Sequence, residues 1–168
     1  MITISESGMK FGPYEEMDII NWEKSSLYKS FGVGLKSVEF IYLEKKCAFC
    51  LLEAKTTAPN PLGPKGQEGF DEYIGEVSEK LIHTFDLFIS SLLGRYADKE
   101  KELPIKFLKQ NLGKIKVKFL LVVKDAKYEW LRPLNDGLNK ILLRHKKTWD
   151  IKVAVLNEEM ALSRNIIH

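Results

Sequence analysis

Along the chain, apolar residues follow two rhythms, and the switches between them mark the elements. Ile2-Thr3-Ile4 reads as a short strand, after which Gly8 and Gly12-Pro13 turn the chain. Met17, Ile20, Trp22 and Leu27 predict a first helix over 14–30. Pro13 stands at its first turn, Glu15, Glu16 and Asp18 lie where the helix dipole favours acids, and Gly32 and Gly34 stop it. Two apolar runs follow, 37–43 and 48–55, with only Glu44-Lys45-Lys46 as a polar break, so they are expected to pair as an antiparallel hairpin. Both are apolar on alternate faces together, the pattern of central strands covered on two sides. The Pro- and Gly-rich stretch 56–70 reads as a long connection. Tyr73, Ile74, Val77, Leu81, Phe85, Phe88, Ile89 and Leu92 then recur at helical spacing, with Asp71 as cap and Gly94 as stop. A strand over 115–123, a helix through Leu131, Leu134, Leu138, Ile141 and Leu142, and a strand over 151–156 complete the order. The expected class is α/β.

With 168 residues, 45% of them hydrophobic and 29% charged, the chain can bury one core, and the reading is a single domain over 1–168. No apolar run approaches the ~18 residues of a membrane span, and Met1-Ile2-Thr3-Ile4-Ser5-Glu6 carries no basic and then apolar leader pattern. The expectation is a cytoplasmic protein with no membrane partner. Cys47 and Cys50 lie three apart in an expected strand and so on opposite faces, which suits reduced core thiols better than a disulfide or a zinc pair. Glu79, His83 and Asp86 share a face of the long helix and could meet a metal, although a polar stripe on an amphipathic helix needs no ligand.

The net charge of +3 is unevenly spread. Residues 1–98 carry 10 Lys and Arg against 15 Asp and Glu, whereas residues 99–152 carry 15 against 6. An acidic half and a basic half suit a protein that holds divalent metal with one part and phosphate backbone with the other; a solvated lysine-rich surface gives the same count. Lys140, Arg144, Lys146 and Lys147 are the candidate nucleic-acid contacts, and Lys106, Lys109, Lys114, Lys116 and Lys118 surround the strand before them. Trp130, Arg132-Pro133 and Trp149 could stack bases, burial being the commoner fate of such rings.

The informative anomaly is charge where the pattern demands apolar residues. Glu53 and Lys55 close a strand that is otherwise apolar and, two apart, project from one face. Glu39 begins the neighbouring strand. A short hairpin places the start of one strand beside the end of the next, so the three groups can converge. Carboxylates buried at close range are costly without a cation or a hydrogen-bond donor.

A strand opening on an acid, a hairpin, a second strand ending in Glu-x-Lys, then a loop and a long helix resemble the PD-(D/E)XK, or restriction-endonuclease-like, nuclease superfamily. Val38-Glu39 stands for the first acid and Glu53-Ala54-Lys55 for the Glu-x-Lys, over roughly residues 14–123. The resemblance implies an αβββαβ core with a central mixed sheet flanked by helices. It implies Mg²⁺ or Mn²⁺ held by Glu39, Glu53 and the Ala54 carbonyl, hydrolysis of phosphodiester bonds in nucleic acid with DNA favoured, and Lys55 orienting the attacking water. Relatives of the Holliday-junction-resolvase kind add a glutamate from the first helix, for which Glu23 is the first candidate and Glu16 the second. A homodimer in which two sites address two strands is implied in the same way. The sequence departs from the pattern in carrying Glu for the first acid, Val38 for the preceding Pro, and no Gln-x-x-x-Tyr on the long helix. The alternative is a non-catalytic nucleic-acid- or protein-binding module with the same fold and a decayed site. Beside both stands a plain strand-end ion pair between Glu53 and Lys55, with Glu39 at a solvated rim.

Overall fold

The structure, a computed structural model, describes all residues except 33, 46–47, 64–65 and 97–101, and all their side chains except those of 66–68. Ile2–Glu6 (β1) and Met9–Tyr14 (β2) pair as an antiparallel hairpin. Its turn, Ser7-Gly8, takes positive φ at both positions, 50° and 72°, the turn geometry that matches strand twist. Ile4, Met9 and Phe11 bury one face of this hairpin.

The expected helix over 14–30 does not form. A 3₁₀ turn covers Glu16–Asp18, Ile19–Ile20 make a short strand (β3), and only Ser26–Lys29 (α1) is helical, its Tyr28 N–H capped by the Ser25 hydroxyl. On a helix, Trp22 would point away from Ile20 and Leu27, two residues being about 200° of turn. The extended chain instead buries Ile20 and Trp22 on the α2 side of the sheet and Ile19 on the other, with Trp22 edge-on to Phe88 at 5.9 Å.

The hairpin expected from the two apolar runs is present as Phe40–Glu44 (β4) and Ala48–Lys55 (β5), in register from Phe40 opposite Leu52 to Glu44 opposite Ala48. The long helix (α2) spans Gly66–Leu92, starting before Asp71. After the one-turn helix Ile105–Leu108 (α3) come Lys116–Val123 (β6), Tyr128–Ile141 (α4), Leu143–Trp149 (α5), Lys152–Asn157 (β7) and Glu158–Ser163 (α6). The sheet runs β3-β4-β5-β6-β7, antiparallel up to β5 and parallel from β5 through β7. It is a mixed α/β architecture.

Both faces of the sheet are covered, which is why Ala48–Ala54 is buried without a break. Odd-numbered side chains of β5 and β6, among them Phe49, Leu51, Phe119 and Leu121, pack with α2, α3 and α4; Phe49 lies 4.9 Å from Phe88 and 5.1 Å from Phe107. Even-numbered ones, Cys50, Leu52, Leu120 and Val122, pack under the β1–β2 hairpin and α6. Cys50 is a buried free thiol whose pKa is pushed up to about 12 by burial; Cys47 lies outside the described residues. No described helix is long and apolar enough to cross a membrane.

Candidate functional site

The parity of β5 decides which way its charges point. Glu53 and Lys55 share the face of Phe49 and Leu51 and therefore look toward α2. Carrying the β4–β5 register one step past Phe40 and Leu52 sets Glu39 opposite Glu53, on the same face. Two bonds tie the chain before β4 to α2: the Val38 N–H donates to the Thr84 hydroxyl (3.0 Å), and the Lys36 N–H to His83 Nδ1 (3.2 Å). The Glu39 carbonyl in turn accepts from the Glu23 N–H at 3.4 Å. Glu23 thus lies beside Glu39, from a turn and not from a helix; Glu16 is exposed in the 3₁₀ segment.

Glu53 is completely buried. Its Oε1 accepts from Lys80 Nζ of α2 at 2.7 Å and lies 3.4 Å from Lys55 Nζ, while its Oε2 is buried with no hydrogen-bond partner. Burial raises the Glu53 carboxyl above the ordinary carboxylate range, against the pull of Lys80 and Lys55. Half-buried Glu39 is pushed up to about 7, by desolvation first and then by the charges of Glu53, Glu23 and Glu6, with Lys80 opposing. Burial works against the Lys80 charge, but Glu53, Glu39 and Glu23 more than offset it and hold the ammonium above its ordinary value. Lys55 is shared with Glu76 at 3.2 Å, and its hydrogen bond holds Glu76 below the usual range. The Tyr73 hydroxyl, raised by burial and then by Glu53 and Glu76, is another buried group without a partner. Tyr73, Glu76 and Lys80 recur at three- and four-residue steps on α2 and present one face to this strand end.

Among the described residues no three His, Cys, Asp or Glu side chains stand together at metal-holding distance. Mg²⁺ needs no such cage: it binds through one or two carboxylates and keeps several waters. Glu39, the bare Oε2 of Glu53 and the Ala54 carbonyl are oxygen donors of that kind. The Ala54 carbonyl already accepts from the Ser7 hydroxyl (3.0 Å), delivered by the β1–β2 turn. The second acidic stripe is spent differently, since Glu79 pairs with Lys36 at 2.7 Å, His83 caps the Lys36 N–H, and Asp86 is exposed.

The candidate nucleic-acid contacts lie elsewhere. β6 ends beside Lys55, α4 starts there, and α4 and α5 run back to the start of β7, so Lys140, Arg144, Lys146 and Lys147 sit toward the opposite end of the sheet. Eight parallel-strand residues separate the two ends by on the order of 20 Å. Lys140, Arg144 and Lys147 are exposed; Lys146 donates to Asn139 Oδ1. Lys106, Lys116 and Lys118 are engaged by acids, Lys106 by Glu15 and Asp18. Trp149 packs edge-on to Phe85 at 5.3 Å with half its surface open, and Trp130 is half-buried under Lys127.

Sequence reasoning missed Lys80, Glu76, Glu6 and Ser7. The charged positions 76 and 80, at the border of the apolar stripe through Tyr73, Val77 and Leu81, were the one available signal for the first two. No family model, no curated protein and no solved structure matches the chain.

Proposed function

We propose that the protein is a metal-dependent nuclease, a phosphodiester hydrolase acting on nucleic acid with DNA as the favoured substrate, built on a restriction-endonuclease-like form of the mixed α/β fold. One observation carries the reading: a fully buried glutamate with an unpartnered oxygen, opposite a second, half-buried glutamate, at a strand end where two lysines converge. The run β3-β4-β5 followed by α2 and the parallel β6 supports this form, while the absent first helix and the added β7 depart from it. A Mg²⁺ or Mn²⁺ ion held by Glu39, Glu53 and the Ala54 carbonyl would polarise a phosphate and make a bound water more acidic. The chain's own part is to hold these donors in place: the α2 bonds to Val38 and Lys36 fix Glu39, and strand pairing fixes Glu53. Lys55, a quarter exposed, is the cation able to orient a water and offset charge gathering on a phosphate.

Incubating the purified protein with plasmid, linear duplex, single-stranded DNA and RNA in Mg²⁺, Mn²⁺ or EDTA tests the proposal. Cleavage that needs the metal is the expected outcome. The second reading, a binding module with a decayed site, is favoured by Lys80, which already neutralises Glu53. It is adopted if no substrate is cut while salt-sensitive binding persists.

A further inference from the structure

The closest partner of the buried carboxylate is a lysine that the Glu-x-Lys pattern does not contain. Lys80 approaches Glu53 Oε1 more closely than Lys55 does, 2.7 against 3.4 Å, and its side chain is more enclosed, 16% against 26% exposed. Lys55 has a second carboxylate in Glu76, whereas Lys80 is surrounded by the charges of Glu53, Glu39 and Glu23. A carboxylate at full burial requires a compensating charge, and in this protein Lys80 supplies the larger part of it. The compensation is one-sided: both lysines meet Oε1, and Oε2 remains bare.

We propose that Lys80 is a built-in surrogate for the divalent cation, a positioning residue that holds Glu53 in the metal-free protein and competes with the metal for it. The inference rests on the metal-site reading above and adds a consequence of its own. An ion that binds Glu53 beside Glu39 meets the Lys80 ammonium within the same carboxylate cluster, and two cations at such range repel. The flexible four-carbon stem of lysine allows the ammonium to leave. Lys80 therefore stabilises the empty site and lowers its affinity for metal.

The test compares wild type with Lys80→Gln and Lys80→Met, titrating Mn²⁺ by calorimetry and recording thermal unfolding with and without Mn²⁺. Lys80→Gln keeps a hydrogen-bond donor and removes only the charge, so it serves if the methionine variant does not fold. The metal-free variants are expected to melt lower than wild type, to bind Mn²⁺ about tenfold tighter or more, as a close charge pair implies, and to gain more stability from it. Lys55→Gln, run in parallel, should gain less affinity. Mn²⁺ binding to wild type that is equal or weaker in the Lys80 variants overturns the role of Lys80 and leaves the metal site standing. Absence of Mn²⁺ binding in wild type and variants alike overturns both.

Discussion

The two ends of the sheet carry opposite charge in opposite ways. At the end where β5 and β6 finish, Glu53 is fully buried, Glu39, Lys80 and Lys55 are partly buried around it, and each alters the ionisation or position of another. At the other end, Lys140, Arg144 and Lys147 stand in water, and nearby Lys116 meets Asp150 at the surface. Low-dielectric surroundings turn a few charges into strong, specific couplings, while solvent reduces many charges to a diffuse attraction. The acid-rich cluster around Glu53 is therefore one of strong, specific couplings, and the excess of exposed lysines at the other end is a diffuse positive surface.

The largest contrast is expected in stability. Lys80→Ala leaves the buried Glu53 carboxylate with only Lys55, 3.4 Å away, and should cost about 3 kcal/mol in denaturant titrations without metal. Lys116→Ala should have no measurable effect; equal losses would mean that burial does not distinguish the two ends. Next in size is catalysis: Lys55→Ala should reduce Mg²⁺-dependent cleavage by roughly a hundredfold, with folding retained because Glu53 keeps Lys80. Cleavage at the native rate would remove Lys55 from the chemistry.

A smaller effect concerns pH. Between about 4.5 and about 7 the folded protein keeps a proton on Glu39 that the unfolded chain releases, so this group makes stability fall as pH rises through that window and level off beyond it. The raised Glu53 acts with the same sign. Unfolding temperatures recorded in EDTA should show Glu39→Gln overtaking wild type above pH 7 by about a few degrees and losing part of the slope. Parallel profiles for the two proteins would contradict the burial of Glu39. The smallest effect belongs to the basic end. Replacing Lys140, Arg144, Lys146 and Lys147 by Ala should lower the salt dependence of DNA binding by up to about 0.9 in log–log slope for each phosphate no longer neutralised. An unchanged slope assigns these residues to solvent alone.

The strand-end cluster was legible because a short hairpin and a two-residue period leave little freedom: once the runs 37–43 and 48–55 pair, Glu39 must lie near Glu53 and Lys55. Lys80 was not, since a lysine on an amphipathic helix reads as solvated unless the sheet beneath is known to offer a buried acid. The segment 14–30 misled because acids after a proline mimic a helix start, whereas burial of Ile19, Ile20 and Trp22 favours extended chain. Separation of the basic cluster from the acids follows from topology: a helix joining two parallel strands must return to their starting end. Charge counts along a chain carry no such information.

On the proposed reading, Glu39 and Glu53 together hold a divalent cation in place of Lys80. Anomalous diffraction from crystals grown in Mn²⁺ tests it directly. The expected result is a peak in contact with the Glu39 carboxylate and Glu53 Oε2, with the Lys80 ammonium moved away from Glu53. A saturating Mn²⁺ concentration that yields no peak at this strand end, with Lys80 still 2.7 Å from Glu53, would contradict it.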